Sequence, residues 1–122
     1  MTERPRSDRY LVDQIMKHAE VISVNVRKGR EEFNRDPTTR YAVEHATELL
    51  AEAAEKLGRA FKGMNPGVPW DRLRELRRGL AHPYDARGDQ VYIEQTWEFA
   101  RDDAPKIAQK LRRARFPKES EP

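Results

Sequence analysis

The middle of the chain carries a long helical pattern that decides the class of fold. Asp36 can cap a helix, Pro37 suits its first position, and residues 44–57 are dense in helix formers. Small and apolar residues recur along one face: Ala42, Ala46, Leu49, Leu50, Ala53, Leu57, Ala60 and Phe61. The pattern predicts one helix that ends at Gly63 and the proline-containing segment after it. Its alanines permit close approach of another helix, within the chain or from a second copy.

Two further helices are predicted on either side of this one. Residues 8–27 place leucine and isoleucine at helical spacing, and Ser7 can cap the helix. Another helix runs from about Pro69 towards Ala81. It must stop before Pro83, because a residue that precedes proline is pushed out of the α region.

A fourth helix is predicted over residues 91–116, with an interruption inside it. Pro105 should kink or split this helix, and Asp103 can cap the second part. Residues 28–36 form a connection with room for one helical turn. We see no alternating strand pattern, no internal repeat and no long heptad pattern. The sequence therefore predicts an all-α, four- to five-helix up-and-down bundle with short loops.

The composition agrees with a small helical domain that has a limited core. The chain has 122 residues, of which 37% are hydrophobic and 37% charged, against about 45–50% and about 25% in typical proteins. We expect one domain over residues 1–116, a disordered tail over 117–122, and apolar residues confined to narrow stripes or shared in a homodimer. Strand-rich folds are disfavoured, since they need more β-branched and aromatic residues.

Other function classes are excluded by what the sequence lacks. It contains no cysteine, which excludes disulfides, thiolate catalysis and cysteine-ligated zinc. It has no run of about 20 apolar residues and no leader-like start, so we expect no membrane span and a cytoplasmic location.

The charges are nearly balanced in number but unevenly distributed. The formal net charge is +3, yet residues 106–118 hold six cations and no acid, and residues 72–78 are rich in arginine. These runs are either solvated helix faces or a surface that contacts phosphate groups. The side chains we predict to bind RNA on the second interpretation are Arg74, Lys110, Arg112 and Arg113.

One arginine of the third helix falls on its apolar side. At about 100° per residue, Leu73, Leu76 and Leu80 define an arc that includes Arg77 and excludes Arg72, Arg74 and Arg78. A guanidinium that points towards a core must be paired or must face a wet cleft. Arg77 is therefore either tied to a carboxylate, such as that of Glu44 or Glu48, or it binds an anion.

The residues that follow Arg77 give a family resemblance. Arg77, four residues, His82, one residue and Tyr84, with Pro69-Trp70 upstream, resemble the HepT-like branch of the HEPN superfamily. The alanine-rich residues 40–54 and the segment 97–105 are also similar to that branch. The resemblance spans roughly residues 8–112.

This resemblance implies an all-helical homodimer whose paired motifs line a shared cleft. Many such proteins are metal-independent endoribonucleases that act as the toxin of a type VII-like toxin–antitoxin pair. The antitoxin is an MntA-like nucleotidyltransferase, which attaches AMP to the motif tyrosine, here Tyr84. Arg78 stands where the family commonly has a polar residue such as asparagine, and it is expected to line the site.

The chemistry of the motif residues fits RNA cleavage. His82 can act as general acid or base near neutral pH, and Arg77 can stabilise the charge of the reacting phosphate. We expect no metal and no cofactor, because His82, Asp85 and Asp89 are only loosely spaced for a metal site. The alternative is a catalytically inactive module that binds, or is modified by, a nucleotidyltransferase. A third reading treats Arg77 and the basic run as purely structural.

Other side chains that could carry chemistry have simpler interpretations. His18 and His45 lie on or near helix stripes and are expected to pack at a helix seam rather than to bind a ligand. Tyr92, Trp97 and Phe99 are expected to anchor the core rather than to stack on bases.

Overall fold

The predicted all-α bundle is confirmed. The computed structural model describes residues 6–81 and 88–118, and within these ranges all regular structure is helical. The helices are α1 Asp8–Val26, α2 Arg30–Arg35, α3 Pro37–Lys56, α4 Arg59–Met64, α5 Trp70–Ala81, α6 Gly88–Glu98, a π-helical turn Phe99–Asp103, and α7 Ala104–Leu111.

The long helices α1 and α3 form the centre of the bundle. Each begins with the predicted cap: Ser7 Oγ accepts from the Tyr10 N–H at 3.1 Å, and Asp36 Oδ1 accepts from the Thr38 N–H at 3.1 Å. The two helices are antiparallel, since the Gly58 N–H, just after α3, donates to Asp8 Oδ1 at the start of α1 at 3.0 Å. Their shared face buries Ile15, Ile22, Val43 and Leu50.

The predicted end of the second helix was wrong. The α-helix stops at Lys56, Leu57 adopts an extended conformation with ψ 144°, and a separate short helix, α4, follows. The break allows Leu57 and Phe61 both to be buried, although they now belong to different elements. It also turns the chain towards the start of α5.

The connection before α3 contains more structure than one turn. Gly29 has φ +96°, a left-handed value that glycine adopts without strain, and α2 begins directly after it. Phe33 of α2 is fully buried, and its ring centre lies 5.0 Å from that of Trp97. Arg30 adds a two-point contact to Glu94 of α6, with a shortest distance of 2.8 Å. Trp97 and Phe99 are buried as predicted.

Pro105 interrupts the last helix as predicted, but the chain widens there instead of kinking at a cap. Proline has no N–H, and its ring crowds the carbonyl four residues earlier. The chain responds with the π-helical turn, in which the Ala104 N–H bonds to the Phe99 carbonyl five residues back. Asp103 keeps helical backbone angles and makes no cap, so this part of the prediction was wrong. Its carboxylate accepts from Arg72 Nε of α5 at 2.6 Å instead.

The chain beyond α7 packs back on the bundle. The Phe116 ring centre lies 5.1 Å from that of Phe61, and Pro117 is buried. Residues 119–122 of the predicted tail lie outside the described residues. Across the described part of the chain, no helix is both long enough and apolar enough to span a bilayer.

Candidate functional site

Helix α5 presents Arg77 differently from its other arginines. Leu73 is buried against the bundle, and Arg77, one helical turn further on, is half-buried. Arg72, Arg74 and Arg78 are exposed. The arrangement confirms the predicted arc, which placed Arg77 alone among these arginines on the inward side.

The guanidinium of Arg77 is only loosely paired. Among the described residues, its nearest carboxylate is that of Glu55 on α3, and the Nε–Oε2 distance of 3.9 Å is too long for a hydrogen bond. The Nε atom is buried and has no hydrogen-bond partner among the described residues, while 31% of the side chain remains exposed. Such an orphaned charged donor costs free energy, which an anion bound at this place would recover.

The carboxylate partners predicted for Arg77 were wrong. Glu44 lies near Arg40 of its own helix, with an Nε–Oε2 distance of 3.9 Å, and burial raises the pKa of the Glu44 carboxyl. Neither Glu44 nor Glu48 is paired with Arg77; among the described residues the carboxylate paired with it belongs to Glu55, about two turns beyond Glu48 and three turns beyond Glu44 on α3.

The other arginines of α5 have identifiable surroundings. Arg72 is tied to Asp103 of the π-helical turn, as described above. Arg74 Nη2 lies 2.9 Å from Asp71 Oδ1, and both side chains are mostly exposed. These pairs satisfy Arg72 and Arg74 within the chain, which distinguishes them from Arg77.

The remaining motif residues fall in the gap between the described ranges. His82 and Tyr84 lie outside the described residues, so the shared cleft that they are expected to form with Arg77 stays a prediction. The start of α5 is well defined: Trp70 Nε1 donates to the Asn65 carbonyl at 3.0 Å, and its ring centre lies 6.2 Å from that of Phe61.

The four side chains predicted to bind RNA are not on one surface. Arg74 lies with Glu55 and Lys62 beside the α3–α5 contact. Arg112 borders a groove of about 320 Å³ between α1 and α7. Lys110 and Arg113 line a different cleft, beside residues 64–68.

Two residues of this last cleft were missed by the sequence reasoning. Arg115 lies in it beside Lys110 and Arg113, and Asn65 forms part of its wall. The signal for Arg115 was its place in the basic run 106–118. Nothing local to Asn65 indicates its place in the cleft, because Arg115, with which its side chain makes two hydrogen bonds, is 50 residues away.

Of the two described histidines, His18 is partly buried as expected, whereas His45 is exposed, so its predicted place in a helix seam was wrong. His18 is half-buried on α1, and burial, with the nearby charges of His45 and Lys17, lowers its pKa below the ordinary 6.5. Within the described ranges no three histidine, aspartate or glutamate side chains cluster as a metal site would require.

Comparison with known proteins gives one family. The family model described as "Ribonuclease HepT-like" matches residues 12–114. A Thermococcus cleftensis protein named "Probable ribonuclease HepT" is 28% identical over 111 residues, which cover 90% of this chain and 97% of that protein. A Methanocaldococcus jannaschii protein named "Putative RNase MJ1380" is 29% identical over 102 residues, which cover 84% of this chain and 90% of that protein. No solved structure gives a significant match.

Proposed function

Since the chain belongs to the ribonuclease HepT-like family, we propose that it is a metal-independent endoribonuclease whose cleft contains Arg77 and His82. The observation that supports this proposal is the Arg77 Nε atom, a buried donor that has no hydrogen-bond partner among the described residues. The names of the two relatives support the same activity.

The proposed reaction is attack of a ribose 2′-hydroxyl on the adjacent phosphate. A neutral histidine takes the 2′-hydroxyl proton as the O2′–P bond forms, and a protonated histidine gives a proton to the leaving O5′ as the P–O5′ bond breaks. Arg77 stabilises the negative charge of the phosphorane between these steps. Each copy supplies one His82, so a homodimer with paired motifs provides both the acid and the base.

We further propose that the enzyme is a toxin controlled by a neighbouring nucleotidyltransferase. The Tyr84 hydroxyl attacks the α-phosphate of ATP, which forms a tyrosyl–AMP ester and releases pyrophosphate. The phosphate of the attached AMP is negatively charged and would lie where Arg77 binds the phosphate of the substrate. An AMP group there competes with RNA for the same guanidinium.

The decisive experiment is RNA cleavage in the presence of EDTA. The purified protein should cleave a labelled single-stranded RNA, and His82→Ala should lower the rate by about 100-fold or more. The exposed His45 provides the matched control, and His45→Ala should cleave normally. Cleavage by His82→Ala at the normal rate would contradict the proposal.

A second candidate is a catalytically inactive module that a nucleotidyltransferase binds or modifies. Arg78 favours it, because a bulky permanent cation stands where the family commonly has a smaller polar residue. Mass spectrometry after incubation with the neighbouring transferase and ATP separates the two. An AMP adduct on Tyr84 of a protein that never cleaves RNA would support this candidate.

A further inference from the structure

We infer that the cleft between residues 64–68 and the C-terminal end of α7 is a second binding site, for the phosphate backbone of single-stranded RNA. We call it the basic cleft, and its cations are Lys110, Arg113 and Arg115. The inference rests on the proposed ribonuclease function, because it assigns part of the RNA to a surface separate from Arg77.

The basic cleft carries positive charge that the described residues do not neutralise. Its volume is about 450 Å³, and no carboxylate is among the described residues that line it. Lys110, Arg113 and Arg115 make no ion pair with any part of the chain that the structure describes. In this they differ from Arg30, Arg72, Arg74 and Arg101, each of which is paired with a carboxylate. Unpaired cations around a concave surface concentrate a polyanion.

The segment after α7, which carries Arg113 and Arg115, is held against the bundle by hydrogen bonds and is not a free tail. The Asn65 side chain donates to the Arg115 carbonyl at 2.9 Å and accepts from the Arg115 N–H at 3.0 Å. The same amide also donates to the Phe61 carbonyl at 2.9 Å. The contact of Phe116 with Phe61 holds the next residue. The segment after α7 is therefore ordered before any ligand binds, which lowers the entropy cost of binding.

The opposite wall of the cleft suits a nucleic acid strand. A side chain at Gly67 would meet the Lys110 Nζ at 3.4 Å, so the ammonium lies directly over the backbone of the loop. Met64 and Pro66 add exposed apolar surface, against which a base or ribose can lie. RNA offers both phosphates for the cations and bases or riboses for the apolar wall. An acidic protein segment offers only the negative charge, so the cleft suits RNA better.

The basic cleft lies apart from Arg77 but within reach of one strand. The cleft includes Val68, two residues before α5 begins, and Arg77 stands seven residues after Trp70, about 10 Å along the helix axis. A strand held in the cleft can therefore extend towards the cleavage site over a few nucleotides. The basic cleft increases the affinity for RNA and orients the strand towards the cleavage site, whereas Arg77 and His82 take part in the cleavage reaction.

The test compares two double variants that remove the same number and kind of charges. Lys110→Gln/Arg113→Gln removes two of the three cations of the basic cleft. Arg27→Gln/Lys106→Gln removes one exposed arginine and one exposed lysine that do not line the cleft. Binding of a labelled 2′-O-methyl RNA, which cannot be cleaved by 2′-hydroxyl attack, is measured by fluorescence anisotropy at several salt concentrations.

The cleft variant should lose affinity and salt dependence together. Each phosphate neutralised on a single strand contributes about 0.7 to the slope of log affinity against log salt. Removing two contacts should lower the slope by about 1.4 and weaken binding by roughly 25-fold at 0.1 M salt. The control variant should change both quantities much less. Equal losses in the two variants would overturn the inference, since the attraction would then be diffuse.

The same measurements separate this inference from the proposed function. A protein that cleaves RNA but binds equally well with and without the cleft cations has no basic-cleft site. A protein that never cleaves RNA but shows the expected difference keeps the site and loses the ribonuclease proposal. Polyglutamate serves as the competing ligand, and binding of polyglutamate as tightly as RNA would overturn the assignment to nucleic acid.

Discussion

At the scale of single residues, Arg77 is a charged side chain that has no close carboxylate partner among the described residues. Its contact to Glu55 is long, and the Glu55 side chain is 60% exposed, so solvent screens the pair and it contributes little to stability. A structural arginine would show the opposite: short, two-point hydrogen bonds to a buried carboxylate. The geometry therefore favours an external anion as the partner of Arg77.

Replacement of Arg77 by methionine tests this distinction. Arg77→Met keeps the apolar stem and removes the buried, unpaired Nε, so the free energy of unfolding should change by less than about 1 kcal/mol. Cleavage of RNA should fall by about 100-fold or more. Urea denaturation and a cleavage assay on the same preparation give both quantities.

The control is Arg72→Met, which removes the tie to Asp103. It should lower stability by about 0.2–1 kcal/mol, because the arginine is half exposed, and it should leave cleavage unchanged. A loss of more than about 2 kcal/mol in Arg77→Met would show that Arg77 is a structural tie.

His18 makes the stability of the bundle depend on pH. Burial lowers the pKa of His18 below 6.5, so the folded state favours the neutral ring. Its contribution is fully present above pH 6.5 and is lost as the pH falls through the lowered folded-state pKa. Between pH 7 and pH 5 the free energy of unfolding should therefore fall more steeply in the wild-type protein than in His18→Gln, as measured by urea denaturation.

His45 supplies the matched comparison. Because the charge of His45 also lowers the pKa of His18, His45→Gln should give an intermediate pH dependence. Identical pH profiles for the wild-type protein and His18→Gln would refute the assignment.

At the scale of elements, the contacts between distant segments decide where helices end and which faces meet. Asn65 shows this clearly, since one side-chain amide joins the end of α4 to the segment after α7 through three hydrogen bonds. It pairs with both backbone groups of Arg115, as a neighbouring strand would in a sheet. The loop and the C-terminal segment are therefore one structural unit.

Asn65→Ala should separate that unit. The loss of three partly exposed hydrogen bonds should lower the free energy of unfolding by about 1–3 kcal/mol. Hydrogen exchange should increase over residues 112–118 in particular. Asn34→Ala, the same change at an exposed position that meets only Arg30, should be nearly neutral. Unchanged exchange over 112–118 in Asn65→Ala would contradict this description.

The sequence predicts the helices well because helix formation depends mostly on neighbouring residues. The caps, the stripes and the start of α5 near Trp70 all follow from local patterns. The end of α3 does not, since Leu57 and Phe61 fit one continuous stripe as well as they fit two helices. The break is fixed by the Gly58 N–H, which bonds to Asp8, 50 residues away.

The errors in the candidate site have the same origin. Asp103 looks like a cap because its partner, Arg72, is 31 residues distant in sequence. The sequence places Arg77 on the inward face, which is correct, but the offset between α3 and α5 decides that Glu55 lies nearest to it rather than Glu44. Such offsets depend on the packing of whole helices and cannot be read from one segment.

At the scale of the whole molecule, the bundle has few apolar side chains, and some of them are exposed to solvent. Alanine occupies many of the buried positions, so the helices pack closely around a few large side chains. Tyr41 is 62% exposed, and Val21 and Val24 of α1 are also exposed. The proposed homodimer would account for a domain with so narrow a core.

Sedimentation velocity tests the dimer on the intact protein. At micromolar concentration the chain should sediment as a dimer, because the proposed reaction needs two copies of His82 in one cleft. Mixing the wild-type protein with an excess of His82→Ala tests whether the site is shared: each heterodimer holds only one His82, so cleavage should fall well below that of the same amount of wild-type protein alone. A monomer at that concentration would contradict the shared cleft.

The π-helical turn before Pro105 sets the rotational phase of everything after it. One extra residue within a helix turns the following residues by about 100° around the axis. That rotation decides that Lys110 faces residues 64–68, while Arg112 faces α1. A chain shortened by one residue in this turn would keep its composition and its charge, but its α7 would present a different row of side chains to each neighbour. The count of residues between Trp97 and Pro105 is thus as much a determinant of the basic cleft as the cations themselves.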